Sequence, residues 1–106
     1  MSIEITKDAE KMLVALYKTY LSRRKNGLSK QEACYFADDY FSTEKPFSEE
    51  NCNDVNDTRI ELGEAGLLRN FIGGDCELTK PAIIYLENRF KNDLTDVLSV
   101  LAQFIP

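Results

Sequence analysis

Leu62-Gly63-Glu64-Ala65-Gly66-Leu67-Leu68, then Gly73-Gly74, then Leu78-Thr79-Lys80-Pro81-Ala82-Ile83-Ile84-Tyr85-Leu86 is the run of sequence that decides the fold. Gly66 stands where a helix is commonly closed by a left-handed residue, a conformation glycine takes without a Cβ clash. The apolar run from Leu67 to Ile72 is turned back at Gly73-Gly74, a two-residue hairpin signal, and returns through Asp75-Cys76-Glu77-Leu78. Thr79 can cap the next helix, with Pro81 in a first turn that does not need its missing amide hydrogen. The order predicted here is helix, short hairpin, helix.

Upstream, Ala9, Met12, Leu13, Leu16, Tyr17, Tyr20 and Leu21 recur at three-and-four spacing and predict a first helix from Asp8 to about Lys25, stopped by Asn26-Gly27. Ser29-Lys30-Gln31-Glu32 reads as a capping box, so a second helix is expected from Lys30 to Tyr40, burying Ala33, Phe36, Ala37 and Tyr40. Residues 41–47 read as a connector, because Pro46 disfavours helix before it. Ser48, followed by Glu49 and Glu50, is expected to open the third helix, with Cys52, Val55, Ile60, Leu62 and Ala65 inward. The helix after the hairpin uses Ala82, Ile83, Tyr85, Leu86 and Phe90 and ends near Lys91. An amphipathic helix then runs from Asp93 to Phe104, with Ile105 continuing its apolar spacing.

An isolated hairpin is marginal in water, so this one must lie beside the helices as a wing. At Leu62 to Leu68 the chain resembles the LxxxGLL-type exit from the third helix of the winged-helix (winged helix-turn-helix) superfamily, and at Leu78 to Leu86 its LTxxGxxYL-type entry into the next helix. Ala82 departs from the glycine common at that place. The acidic third helix and added last helix also look like the YjcQ-type group of small bacterial and phage winged-helix proteins. The resemblance implies a mostly α fold with a small β-hairpin wing and an additional C-terminal amphipathic helix. One domain, 1–106, is expected, with its core at about 8–91 and the last helix at about 93–105.

Composition narrows the function. The chain has 106 residues, 43% hydrophobic and 29% charged, the balance of one globular domain. It has no histidine, the commonest general base and metal ligand, and its three cysteines, Cys34, Cys52 and Cys76, form no CxxC pair. Neither an enzyme nor a metal or cofactor site is expected. The Asn/Asp-rich run at 53–57 lacks the glycine hinge of a calcium loop, and Asp38-Asp39 reads as exposed helix-end charge. Met1 to Asp8 carries no apolar signal segment, and no stretch approaches the roughly 20 apolar residues of a membrane span. A cytoplasmic protein with reduced thiols is expected, without membrane contact.

The wing implies DNA binding, since the superfamily's third helix commonly enters the major groove. Charge opposes it: residues 48–66 carry Glu49, Glu50, Asp54, Asp57, Glu61 and Glu64 against Arg59 alone, a net of −5 equal to that of the whole chain. Two partners therefore stand side by side. DNA would be met by Arg59, Arg69, Lys30, Arg23, Arg24 and Lys25, in a regulator of transcription. A basic protein partner would instead be met by Asn53, Asp54, Asn56, Asp57 and Glu61, or by the last helix, in an interaction module. The bland alternatives stay open: the acids as a solvated face, and Arg23 to Lys25 as complements of a helix dipole. The last helix either packs on the first or supplies a homodimer seam of Leu94, Val97, Leu98, Leu101 and Phe104.

Overall fold

The first helix, α1 (Lys7–Lys25), begins where Thr6 is extended and its hydroxyl accepts from the amide of Ala9. It ends at Asn26 with Arg23, Arg24 and Lys25 in the last turn, where their positive charge complements the negative end of the dipole. The computed structural model describes residues 3–90 and 94–103. Met12 to Tyr17 are buried without a break, more than one apolar stripe predicts, because α1 is surrounded by four of the other helices. It is the central post of the fold.

The second expected helix is cut short. Ser29 accepts from the amide of Glu32 while the Glu32 carboxylate accepts from that of Ser29, and this capping box starts α2 (Lys30–Ala33). The chain then straightens into strand β1 (Tyr35–Phe36), turns, and forms α3 (Tyr40–Thr43). Pairing with a distant strand overrides the local helical spacing. It supplies backbone partners to that strand's open edge and buries Phe36 completely, while Ala37, expected inward, is exposed. The 41–47 stretch is correspondingly more than a connector: it contains part of α3 and the start of a 3-10 turn (Phe47–Glu49), and both Phe41 and Phe47 are buried. Their rings lie 5.1 Å apart, with Tyr40 at 5.3 and 6.4 Å from them.

Helix α4 (Cys52–Glu64) starts at Asn51, not Ser48. Phe47 pins the preceding turn into the core, and the Asn51 side-chain oxygen accepts from the amides of Asn53 and Asp54, so Glu49 and Glu50 fall outside the helix. Only Val55 and Leu62 of the five expected inward residues are buried; Cys52, Ile60 and Ala65 are exposed, since α4 shows the core a narrow stripe. Gly66, at φ 78°, closes it as expected.

Strands β2 (Leu68–Asn70) and β3 (Cys76–Leu78) pair antiparallel, Asn70 opposite Cys76 and Leu68 opposite Leu78. Between them the Phe71 amide donates to the Asp75 carbonyl and the Gly74 amide to the Phe71 carbonyl. The hairpin tip is thus three residues, Ile72-Gly73-Gly74, where two were expected, with Gly73 and Gly74 at φ 103° and 101°. Gly74 also presses on Asp38, whose Cβ would lie 3.1 Å from any Cβ added there. The sheet order is β1-β3-β2. Phe36, Cys76, Leu68 and Leu78 are buried on its inner face, while Tyr35, Glu77 and Arg69 share the outer one.

Thr79 caps α5 (Lys80–Arg89) by accepting from the Ala82 amide, with Pro81 in the first turn. Ala82, Leu86 and Phe90 are buried and Ile83 and Tyr85 pack partly against them. The last helix, α6 (Leu94–Ala102), lies along α1 and buries Val97 completely. The expected ends at Lys91, Asp93, Phe104 and Ile105 lie outside the described residues. The buried side chains form a single cluster, in a mostly helical structure of six α-helices and one small antiparallel sheet among the described residues.

Candidate functional site

Helix α4 and the hairpin meet through Arg59. Its guanidinium stacks over the Phe41 ring at 4.7 Å, and Nη2 donates to the Gly74 carbonyl at 2.6 Å, tying helix to hairpin tip. Nε is buried without a hydrogen-bond partner. Burial pushes the neighbouring Cys76 thiol up to about 11, and the Arg59 charge opposes that rise. Asn70 completes the seam by donating from its side chain to the Arg59 carbonyl at 3.0 Å. Arg59 is therefore folded back into the structure, away from α4's free face.

The other candidate cations divide in the same way. Arg23 reaches the carbonyls of Ala33 and Tyr35 and lies over the Phe36 ring at 4.7 Å, holding β1 against α1. Arg24 donates to the Leu28 carbonyl at 3.0 Å. Arg69 is exposed on the outer face of the sheet and pairs across strands with Glu77 at 3.0 Å. Lys25 and Lys30 are exposed near the end of α1 and the start of α2. The six come from α1, α2, α4 and β2, and Arg23, Arg24, Arg59 and Arg69 are engaged by partners within the chain.

The acidic candidates are brought together more closely. Asn53, Asp57, Ile60 and Glu64 follow one another at four, three and four residues, which puts them on one face of α4, and all four are exposed. Asn56 flanks that face and Asp54 stands at the first turn, both exposed. Glu61 does not belong with them. Its two oxygens accept from the Thr6 amide at 2.8 Å and hydroxyl at 2.7 Å, so it anchors the start of α1. Glu50 is likewise engaged by Lys11 at 2.6 Å. What remains is a strip of carboxylates and amides around Ile60, which is half exposed (50%).

Of the seam candidates, Val97 is buried within its own chain, Leu101 is partly buried and Leu98 is 44% exposed. The side chain of Leu94 and all of Phe104 lie outside the described residues. A third group, Tyr35, Phe71 and Ile72, is not marked by the sequence, because the helical spacing around Tyr35 conceals the strand that brings it beside Phe71. Tyr35 and Phe71 are 39% and 40% exposed with ring centroids 6.4 Å apart, and Ile72 at the tip is fully exposed. The alternation of Arg69 and Phe71 toward the outer face was the available signal.

Two shallow clefts flank α4. One of about 290 Å³ is floored by Phe41, Phe47 and Val55 with Asp38, Glu50 and Arg59 among its walls; the other, about 220 Å³, lies between α1 and the first turn of α4. Both are walled by charged and apolar residues together. Among the described residues no three His, Cys, Asp or Glu side chains gather to hold a metal ion, and no helix is long and apolar enough to cross a membrane. The three cysteines are unpaired: Cys34 half-buried, Cys52 exposed and Cys76 buried. No protein-family model, curated protein or solved structure matches this chain.

Proposed function

We propose that the chain is a non-catalytic module of winged-helix type that binds a basic protein segment on the free face of α4. The observation that carries this reading is the unmixed strip of Asn53, Asp57, Ile60 and Glu64, exposed on α4 while the helix's only cation, Arg59, is turned into the hairpin seam. Lysine or arginine side chains of a partner would neutralise the carboxylates, and Ile60 offers apolar contact at the centre of the strip. Helix α4 followed by a hairpin, with β1 completing the sheet in the order β1-β3-β2, supports the winged-helix frame. The last helix is a weaker docking surface, since its Val97 is used within the chain.

Against DNA, the helix that would enter the groove presents carboxylates, and Arg23, Arg24 and Arg59 are already tied to carbonyls of the chain itself. The test titrates two labelled probes, a decapeptide alternating arginine with serine and a random duplex DNA, at about 20 and about 200 mM salt, a range over which phosphate contacts change affinity strongly. The peptide is expected to bind and weaken with salt, and Asp57→Asn with Glu64→Gln to lower its low-salt affinity by roughly three- to tenfold. Salt-sensitive DNA binding with no peptide binding would replace this reading by a nucleic-acid one.

A further inference from the structure

The outer face of the sheet carries a second patch, unused by the α4 strip. Tyr35 on β1 and Arg69 on β2 both stand opposite Glu77 of β3, so the three share that face, and Phe71 continues it past Arg69. The Tyr35 hydroxyl donates to the Asp75 carboxylate, which fixes its ring beside that of Phe71 with an interplanar angle of 32°. Ile72 projects from the tip with no part of its side chain covered. Around these three apolar residues lie Asp75, Glu77 and Asp38, the last packed against Gly74, with Arg69 paired to Glu77 and with Arg23 and Arg59 turned inward to the carbonyls of Tyr35 and Gly74.

We propose that Tyr35, Phe71 and Ile72 form a docking patch for a segment of another protein in which arginine or lysine stands beside a large apolar side chain. The apolar side chain covers Ile72 and the ring edges. The cation meets the π faces of Tyr35 and Phe71 and the carboxylate of Asp75, a pairing of aromatic face and anion that favours a guanidinium or ammonium group. Arg69 already holds a guanidinium against Glu77 on this face, so the geometry admits one.

Other occupants fit the charges less well. A second copy related by a twofold axis would bring the same carboxylates back onto themselves. A nucleic acid would find rings to stack on but phosphates facing three acids. This inference rests on the α4 reading for the basic character of the partner, and it adds that the partner carries an apolar anchor and that the hairpin reads it.

The experiment compares two decapeptides of equal charge on the intact chain by calorimetry, one alternating arginine with leucine and the other arginine with serine. The leucine peptide is expected to bind at least about tenfold more tightly, as covering one large apolar side chain implies. Phe71→Ser with Ile72→Ser should reduce that advantage to less than about twofold, the serine peptide losing only the part of its affinity that its arginine draws from the Phe71 ring. Ile72→Ser alone, at a position with no packing to lose, should remove part of it. Equal binding of the two peptides, or an advantage that survives both variants, overturns the patch. Asp57→Asn with Glu64→Gln separates the two ideas: where the two peptides bind equally and this variant still weakens both, the α4 reading stands while the patch falls. A chain that sediments as a dimer, and as a monomer after Ile72→Ser, also overturns the proposal by making a second copy the occupant.

Discussion

Arg59 shows why residue type alone misjudges a role. On sequence it is the one cation of an acidic helix and so the natural phosphate contact, yet its planar guanidinium stacks on Phe41 and donates to Gly74. Lysine keeps the charge but neither the flat stacking surface nor the fork of donors. Arg59→Lys is therefore expected to lower stability by about 1–2 kcal/mol in urea unfolding. A change within about 0.5 kcal/mol, usual for a surface substitution, would mean that the side chain is free. Little of this was legible beforehand, because the Phe41 and Gly74 partners become neighbours only after the chain has folded.

At the level of elements, the legible parts were those whose causes are local. Ser29 and Thr79 cap their helices within three residues, Gly66 ends α4, and Gly73-Gly74 turn the hairpin, so the start of α2, the hairpin and α5 could be read directly, as α1 could from its apolar spacing. Strand β1 could not. Ala33, Phe36 and Tyr40 satisfy helical spacing as well as they satisfy the observed turns, and only the edge of β3, some forty residues on, selects the strand. The candidate site divides similarly: the acidic strip was visible on α4, whereas the loss of Glu61 to Thr6 depended on where α1 begins. For α6, burial makes a direct prediction. Val97→Ala should destabilise by about 2 kcal/mol, and Leu98→Ala by less than about 1 kcal/mol, because only Val97 is enclosed. Urea midpoints in the reverse order would mean that α6 turns its other side to α1.

Taken whole, the molecule has several groups that folding keeps protonated. Burial raises the thiols of Cys34 and Cys76, the latter to about 11, from an ordinary value of 9.0. Tyr20 and Tyr40 are raised by burial, and Tyr35 to about 12 chiefly by its hydrogen bond to Asp75, from an ordinary 10.0. With folded values above unfolded ones, the native state holds more protons in the alkaline range, so this stability is complete below about pH 9 and is lost as pH rises toward about 12. Urea midpoints should fall steadily between pH 9 and pH 11, and a flat profile would contradict the environments described for these side chains. The pairing of β1 with β3 has a consequence of a different kind. Residues 35–36 complete a sheet whose hairpin is made at 68–78, so segments far apart in the chain are joined, and the sheet closes only when a loop of some forty residues has been drawn in. The helices and hairpin can form early from contacts near at hand; the outer face of the sheet, with Tyr35 in place beside Phe71, exists only once that long loop has closed.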